Sequence, residues 1–230
     1  MSRHGARMSL LAAALVAVPG AASAGPDDWH GGASLHYEAS YVHRTSAAAV
    51  APTAGAGVGR AGLRLRGFAS RTLPVGYLVG IDLHAGTTNP GGFAYQADLY
   101  LAGLGVRLGK RGIAGLGAGV GASGAVGTQD DGVELPVEAF VELGVGSRLR
   151  LLARGRAVWL GAARGRADGA PTFAFTDEVD GTLAVRIGRR YRDYGFPSGN
   201  GYFVGVAYRE AEGAQFVGAV LGYSVDVGSR

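Results

Sequence analysis

The residues suited to acid–base chemistry in this 230-residue chain are few. Asp82 and His84 stand two positions apart, as do His36 and Glu38. In a strand that spacing puts both members of a pair on one face, roughly 7 Å apart. A carboxylate can orient a neighbouring imidazole as a general base, and His36, Glu38 and His84 together are of metal-ligating types. Pairs at this spacing arise readily by chance, however, and metal ligands must converge, whereas a further segment separates His36 and Glu38 from His84. No catalytic residue and no metal site is therefore assigned. Cysteine is absent, which removes thiolate zinc sites, cysteine nucleophiles and disulfide scaffolds. The chain holds no G-x-S-x-G elbow and no P-loop. Gly119 to Gly124 spells G-x-G-x-x-G, but no helix follows and no acidic residue lies at a ribose-binding distance, so no nucleotide or other cofactor is implied.

The elements that must position such residues are strands. From Gly32 onward about ten segments alternate with period two, one face apolar and the other polar, charged or glycine. The first sets Ala33, Leu35, Tyr37, Ala39 and Tyr41 against Ser34, His36, Glu38 and Ser40; the third sets Val75, Tyr77, Val79, Ile81 and Leu83 against Gly76, Gly80, Asp82 and His84. Gly112 to Gln129 is uncharged over 18 residues, yet Gly115, Gly117, Gly119 and Gly121 recur every second position, which is strand periodicity in a residue that forms helices poorly. Glycine makes up 42 of 230 residues without a triplet period, which excludes collagen. At 47% hydrophobic and 17% charged residues the chain is too apolar for disorder.

Charge divides cleanly between the faces. Arg60, Arg64, Arg66, Asp82, His84, Glu134, Glu138, Glu142, Arg148, Arg150, Arg154 and Arg156 all fall on polar faces, and Asp177, close to a loop, is the exception on an apolar one. For the hairpin turning at Gly146, antiparallel pairing about that residue predicts Glu142 opposite Arg150 and Glu138 opposite Arg154. Such pairs contribute about 0 to 1 kcal/mol on a wet face, but in a narrow lumen they need one another. The aromatic residues Tyr41, Tyr77, Phe93, Tyr95, Trp159, Phe173, Phe175, Tyr202 and Tyr208 fall mostly toward segment ends, and the glycines make room for bulky interior side chains.

Met1 to Ala24 reads as a secretory signal, with Arg3, His4 and Arg7 before an apolar stretch from Met8 to Val18 and Ala22-Ser23-Ala24 as the cleavage site. Cleavage makes residues 25–230 the mature domain. Loss of Arg3 and Arg7 lowers the formal net charge from +4 to +2, so nucleic acid is not implied.

On this pattern, over Ala33 to Val227, the chain resembles a small bacterial outer-membrane β-barrel protein. The resemblance implies an all-β, single antiparallel up-and-down transmembrane barrel of about ten strands, with eight or twelve also compatible. It further implies a Gram-negative cell envelope, with outer-membrane lipids and the barrel-assembly machinery as partners. Gly218, Leu221 and Tyr223 fit the class's C-terminal assembly signal; Phe216 replaces its polar position, and the chain ends Val227-Gly-Ser-Arg230 without the terminal aromatic. Connections are expected to be long on the outer side (Thr45 to Gly57, Ala85 to Gly92, Gly127 to Gly132, Ala162 to Thr172) and short on the inner (Arg71 to Pro74, Gly109 to Arg111, Gly144 to Ser147). Arg189 to Asn200 and Glu210 to Gly213 break that rule, which suggests an extra short element or a different strand count.

The charged residues Arg60, Arg64, Arg66, Asp82, His84, Glu134, Glu138, Glu142, Arg150, Arg154 and Arg156 are thus expected to form a lumen network in a non-enzymatic barrel with an envelope-structural or surface-binding role. Two alternatives remain at this point. One is a barrel enzyme acting on lipid A or peptides, similar to lipid A deacylases or omptins, both of which need histidine near its partners. The other is a secreted soluble β-sandwich burying the same apolar faces.

Overall fold

A computed structural model describes residues 30–45, 57–70, 74–89, 92–108, 112–126, 132–162, 173–174, 179–188, 199–211 and 214–229. The expected signal segment, most of the connections and Asp177 lie outside these residues. Eleven strands are described: β1 (His30–Arg44), β2 (Gly57–Ser70), β3 (Val75–Asn89), β4 (Gly92–Leu108), β5 (Gly112–Val126), β6 (Gly132–Val145), β7 (Leu149–Ala162), β8 (Phe173–Ala174), β9 (Val179–Gly188), β10 (Gly199–Ala211) and β11 (Ala214–Ser229). Ten of them are long. Each pairs antiparallel with its neighbour, and β1 pairs with both β2 and β11, so the sheet closes on itself as an up-and-down barrel. The two-residue β8 is an appendage on the far end of β7, in the connection to β9. A short element thus lies before β9; residues 189–198, where the loop lengths suggested one, are outside the described residues.

Closure follows from the sequence in a simple way. Strands of 10 to 17 residues, each with one apolar face, leave two sheet edges that must be paired or covered. Pairing β1 with β11 over Gly31↔Ser229 to Arg44↔Phe216 removes both. We call the end where β1 begins and β11 finishes the terminus end, and the other the loop end. The β3–β4 connection at the loop end is shorter than expected, because β3 continues to Asn89 and β4 starts at Gly92.

The apolar face is the outside. Leu83, Leu116, Leu151, Leu183, Val204 and Leu221 are all exposed, whereas Asp82, Glu138, Arg150 and Arg186 are at most 2% exposed. That arrangement inverts a soluble sandwich, whose apolar faces would meet one another. Local irregularities keep it consistent. In β4 a bulge at Tyr100/Ala102 shifts the outward set from Leu99 and Leu101 to Leu104. A second irregularity, between β6 and β7, falls at Pro136, which has no N–H to donate to the ladder.

The interior is not wholly polar. Phe68, Leu78 and Ile113 pack with Phe140 on the β2 to β6 wall near the terminus end, and Val42, Leu152, Ala184, Phe203, Ala207, Phe216 and Val220 form a second cluster centred on the β10 and β11 wall. Facing glycines receive these rings: a Cβ on Gly115 would stand 2.5 Å from Cε1 of Phe140. Gly115→Val is therefore expected to lower unfolding stability by about 1–3 kcal/mol through overpacking. Ala118→Val, on the outward face of the same strand, should leave it nearly unchanged. Urea titration of the detergent-folded protein measures both, and equal effects would place Gly115 against open space.

Candidate functional site: a three-tier ion-pair lattice in the lumen

β6 carries Glu134, Glu138 and Glu142 at four-residue intervals, roughly 13 Å apart along a strand, and each centres one tier of charge. All three are buried. Inward projection follows from the period-two pattern, since Val133, Leu135 and Leu143 on the same strand face outward.

The middle tier is the most connected. Glu38 on β1 accepts from Arg64 Nε at 2.9 Å and from Arg154 Nη2 at 3.1 Å, and His84 Nε2 lies 3.0 Å from its Oε1. Asp82 on β3 accepts from Arg64 and Arg66 on β2, each at 2.6 Å. Arg66 then reaches across the barrel and grips Glu138 with Nε at 2.6 Å and also with Nη2. Its guanidinium carbon stands 4.8 Å from the centroid of the Tyr100 ring. Three carboxylates therefore meet three guanidinium groups.

Toward the loop end, Arg156 donates to Asp98 at 2.7 and 3.1 Å and to Glu134 at 2.5 Å. Gln96 adds a 2.7 Å bond to Asp98 and accepts one of 3.1 Å from Arg60 Nη1, which also lies 3.8 Å from Asp180 Oδ1. Toward the terminus end, Glu142 lies between Arg150 at 3.1 Å and Arg186 at 3.0 Å, and Arg186 also binds Asp226. In a low-dielectric enclosure each of these charges needs such partners, because burial of an unpaired ion is costly.

Each of the eleven residues singled out from the sequence makes an ion pair or hydrogen bond with another side chain on the polar faces, but not with the expected partner in every case. The register between β6 and β7 is displaced by two residues: Glu142 stands opposite Leu152, and Glu138 opposite Arg156. A one-residue reversal at Gly146 is too tight. The chain turns over Gly146 to Arg148, with Gly146 at φ 71°, a left-handed conformation that favours glycine. Glu142 still reaches Arg150, now diagonally, whereas Arg154 crosses to Glu38 and Glu138 belongs to Arg66. Arg148, read as a polar-face residue, is exposed in the turn.

Glu38, Asp98, Asp180, Arg186 and Asp226 were not included in the expected network. Alternation could have found Arg186 and Asp226, because Val185 and Ile187, and Val225 and Val227, flank them on the apolar face. The pairs that suggested acid–base chemistry resolve differently. His84 and Glu38 are tied into the middle tier, and His36 is buried against Phe203 at a 5.8 Å ring separation. None of these groups stands at an open surface. Among the described residues no group of three His, Cys, Asp or Glu is arranged to hold a metal.

No protein-family model matches the chain, and no curated protein matches its sequence. Among solved structures the chain is similar to the translocator domain of the autotransporter NalP from Neisseria meningitidis, at 11% identity and a TM-score of 0.38, over 96% of this chain and 94% of that one. The barrel class rests on the strand ladder and its two faces: this is a small barrel of the outer-membrane type, with ten long antiparallel strands.

Glu138→Ala and Arg154→Ala should each lower unfolding stability by about 3–5 kcal/mol, because each breaks a buried pair and unbalances the tier by one charge, although Arg66 keeps Asp82 and Glu38 keeps Arg64. Double-mutant cycles should couple Glu38 with Arg154 by about 0.5–3 kcal/mol, and Glu138 with Arg154, which share the tier without a direct bond, more weakly. Urea titration in detergent reads both, and strong coupling of Glu138 with Arg154 alone would restore the local hairpin pairing.

Proposed function

We propose that the protein is an exported, non-enzymatic outer-membrane barrel whose lumen is shut by its own side chains and which serves envelope structure or surface binding through its loop end. The observation that carries this reading is the inside-out distribution of the wall: apolar residues face outward on every long strand, and the charges are paired within. A hydrocarbon surround stabilises that outer face, and closure leaves no unpaired strand edge in lipid. Residues 1–24 act as the export signal and are removed, placing residues 25–230 in the outer membrane after delivery to the barrel-assembly machinery.

The terminus end then faces the periplasm. The connections that join strands there carry Arg71, Lys110, Arg111, Arg189, Arg190 and Arg192, which favours contact with anionic phospholipid headgroups. In the C-terminal strand, Leu221 and Tyr223 point outward and are available to an assembly factor, whereas Phe216 turns inward and is 4% exposed, which suits packing better than recognition. A non-enzymatic role is favoured because the histidines on the polar faces are enclosed in the wall-to-wall lattice rather than presented at a rim. A ten-strand lumen filled by arginine and phenylalanine also argues against a wide diffusion pore.

Fractionation of the expressed full chain, followed by gel migration with and without boiling, tests the reading. Recovery in the outer membrane with a band that shifts on heating is expected. A soluble periplasmic protein with a single band would overturn it.

A further inference from the structure

Three cavities follow one another along the lumen, and among the described residues side chains divide them. The one toward the loop end, about 40 Å³, reaches from Arg60 and Asp180 down to Glu38, Arg64 and His84. The middle one, about 30 Å³, is bounded by His36, Arg64, Glu138 and Arg154. The third, also about 30 Å³ and toward the terminus end, shares Ser34, Arg66, Phe140 and Glu142 with the middle one. Each exceeds the roughly 10–15 Å³ that a water molecule needs, and each has charged groups in its wall. His36 supplies a second, independent observation. It is 6% exposed and borders the middle cavity, and neither ring nitrogen has a hydrogen-bond partner among the described residues. A buried imidazole is costly to leave unbonded, so this cavity is one that takes water.

We propose that the three cavities are sections of one narrow ion path, held shut by the two salt bridges that span the middle tier, Arg154 to Glu38 and Arg66 to Glu138. The proposal rests on the closed-barrel reading and adds a conducting route to it. Glu38 and Arg64 line the cavity toward the loop end, and Arg64 and Arg154 line the middle one, so the Arg154–Glu38 bridge lies on the partition between them. Arg66 borders both the middle and the third cavity, and its grip on Glu138 closes the second partition. All described long strands belong to the wall, so no described strand crosses the lumen.

The charge of the middle tier makes the proposal specific. Glu38, Asp82 and Glu138 balance Arg64, Arg66 and Arg154, leaving the tier neutral. Removing Arg66 and Arg154 together opens both partitions and leaves two excess negative charges, so the path should favour cations. Removing Glu38 and Glu138 together opens both partitions with two excess positive charges, so it should favour anions. A wall that merely loosened would show no such reversal.

The test uses the full chain and the double variants Arg66→Ala/Arg154→Ala and Glu38→Ala/Glu138→Ala, folded into planar lipid bilayers under a potassium chloride gradient. Wild type should sit at the lipid baseline. Both variants should show unit conductance several-fold above it, with reversal potentials of opposite sign. Heat-modifiable migration establishes which variants have closed, and the double variants Arg66→Gln/Arg154→Gln and Glu38→Gln/Glu138→Gln, which preserve more of the side-chain volume, replace any alanine variant that has not. Folded variants that stay silent, or that share one selectivity, overturn the ion path and leave the closed-barrel reading standing. Failure of all four to fold also overturns it, because the bridges would then be struts rather than partitions. Absence of a heat-modifiable band in wild type strikes instead at the barrel reading itself.

Discussion

A guanidinium group enclosed by ten strands has little water to turn to, and the structure is organised around that constraint. Every interior arginine must find a carboxylate within reach of its own side chain, and the nearest suitable one often lies on the opposite wall. Arg66 on β2 meets Glu138 on β6, Arg154 on β7 meets Glu38 on β1, and Arg60 on β2 faces Asp180 on β9. None of these partners is adjacent in the sheet order. They come together only when β1 docks on β11, so the ladder that removes the sheet edges also brings the charges into register. Closure and neutralisation are therefore one event in energetic terms.

The choice of cation follows. Of the 22 basic residues only Lys110 is lysine. Arg66 holds both oxygens of Glu138, and Arg156 both oxygens of Asp98, while keeping donors for Asp82 and Glu134. A lysine at either place would supply one compact charge and could not form that planar fork. Glycines make room for these long side chains and for the inward rings alike: a Cβ on Gly80 would meet Arg66, and Cβ atoms on Gly76, Gly115 and Gly222 would meet Phe68, Phe140 and Phe203. Apolar packing and charge pairing thus alternate along the same strands, with Phe68 two residues from Arg66 on β2 and Phe140 between Glu138 and Glu142 on β6.

Much of this was legible in the sequence, and the remainder was not for definite reasons. Which face of β1, β3 or β6 is apolar depends on a local period of two, so the strands and their inward charges could be read directly. The β6–β7 register depends on how many residues the turn consumes, and a lone glycine at Gly146 does not state that number. The slip moved the partners by two positions while keeping every side chain on its face, because two is the period of the pleat. In β4 the bulge after Tyr100 reverses the outward phase, and nothing in the run Leu101-Ala-Gly-Leu104 marks it. Cross-lumen partners depend on tilt and closure, which no local window contains. Inward phenylalanines were missed because a binary pattern sends every large apolar residue to the lipid face, although a lumen this narrow needs apolar filler as well.

The binary pattern also bears on why the barrel and the sandwich could not be separated by alternation alone. Both bury one face and wet the other, and they differ in what the polar face must tolerate. On a sandwich each charge is solvated separately, so the identity of its neighbours matters little. Inside a closed wall the charges must balance tier by tier, as Glu38, Asp82 and Glu138 do against Arg64, Arg66 and Arg154. Near-neutral bookkeeping on one face, spread over strands distant in sequence, is therefore the physical signature of an enclosed interior. It separates the two architectures where hydrophobic periodicity cannot, since nothing about a solvated face would require the arginines of β2 and β7 to match the acids of β1, β3 and β6.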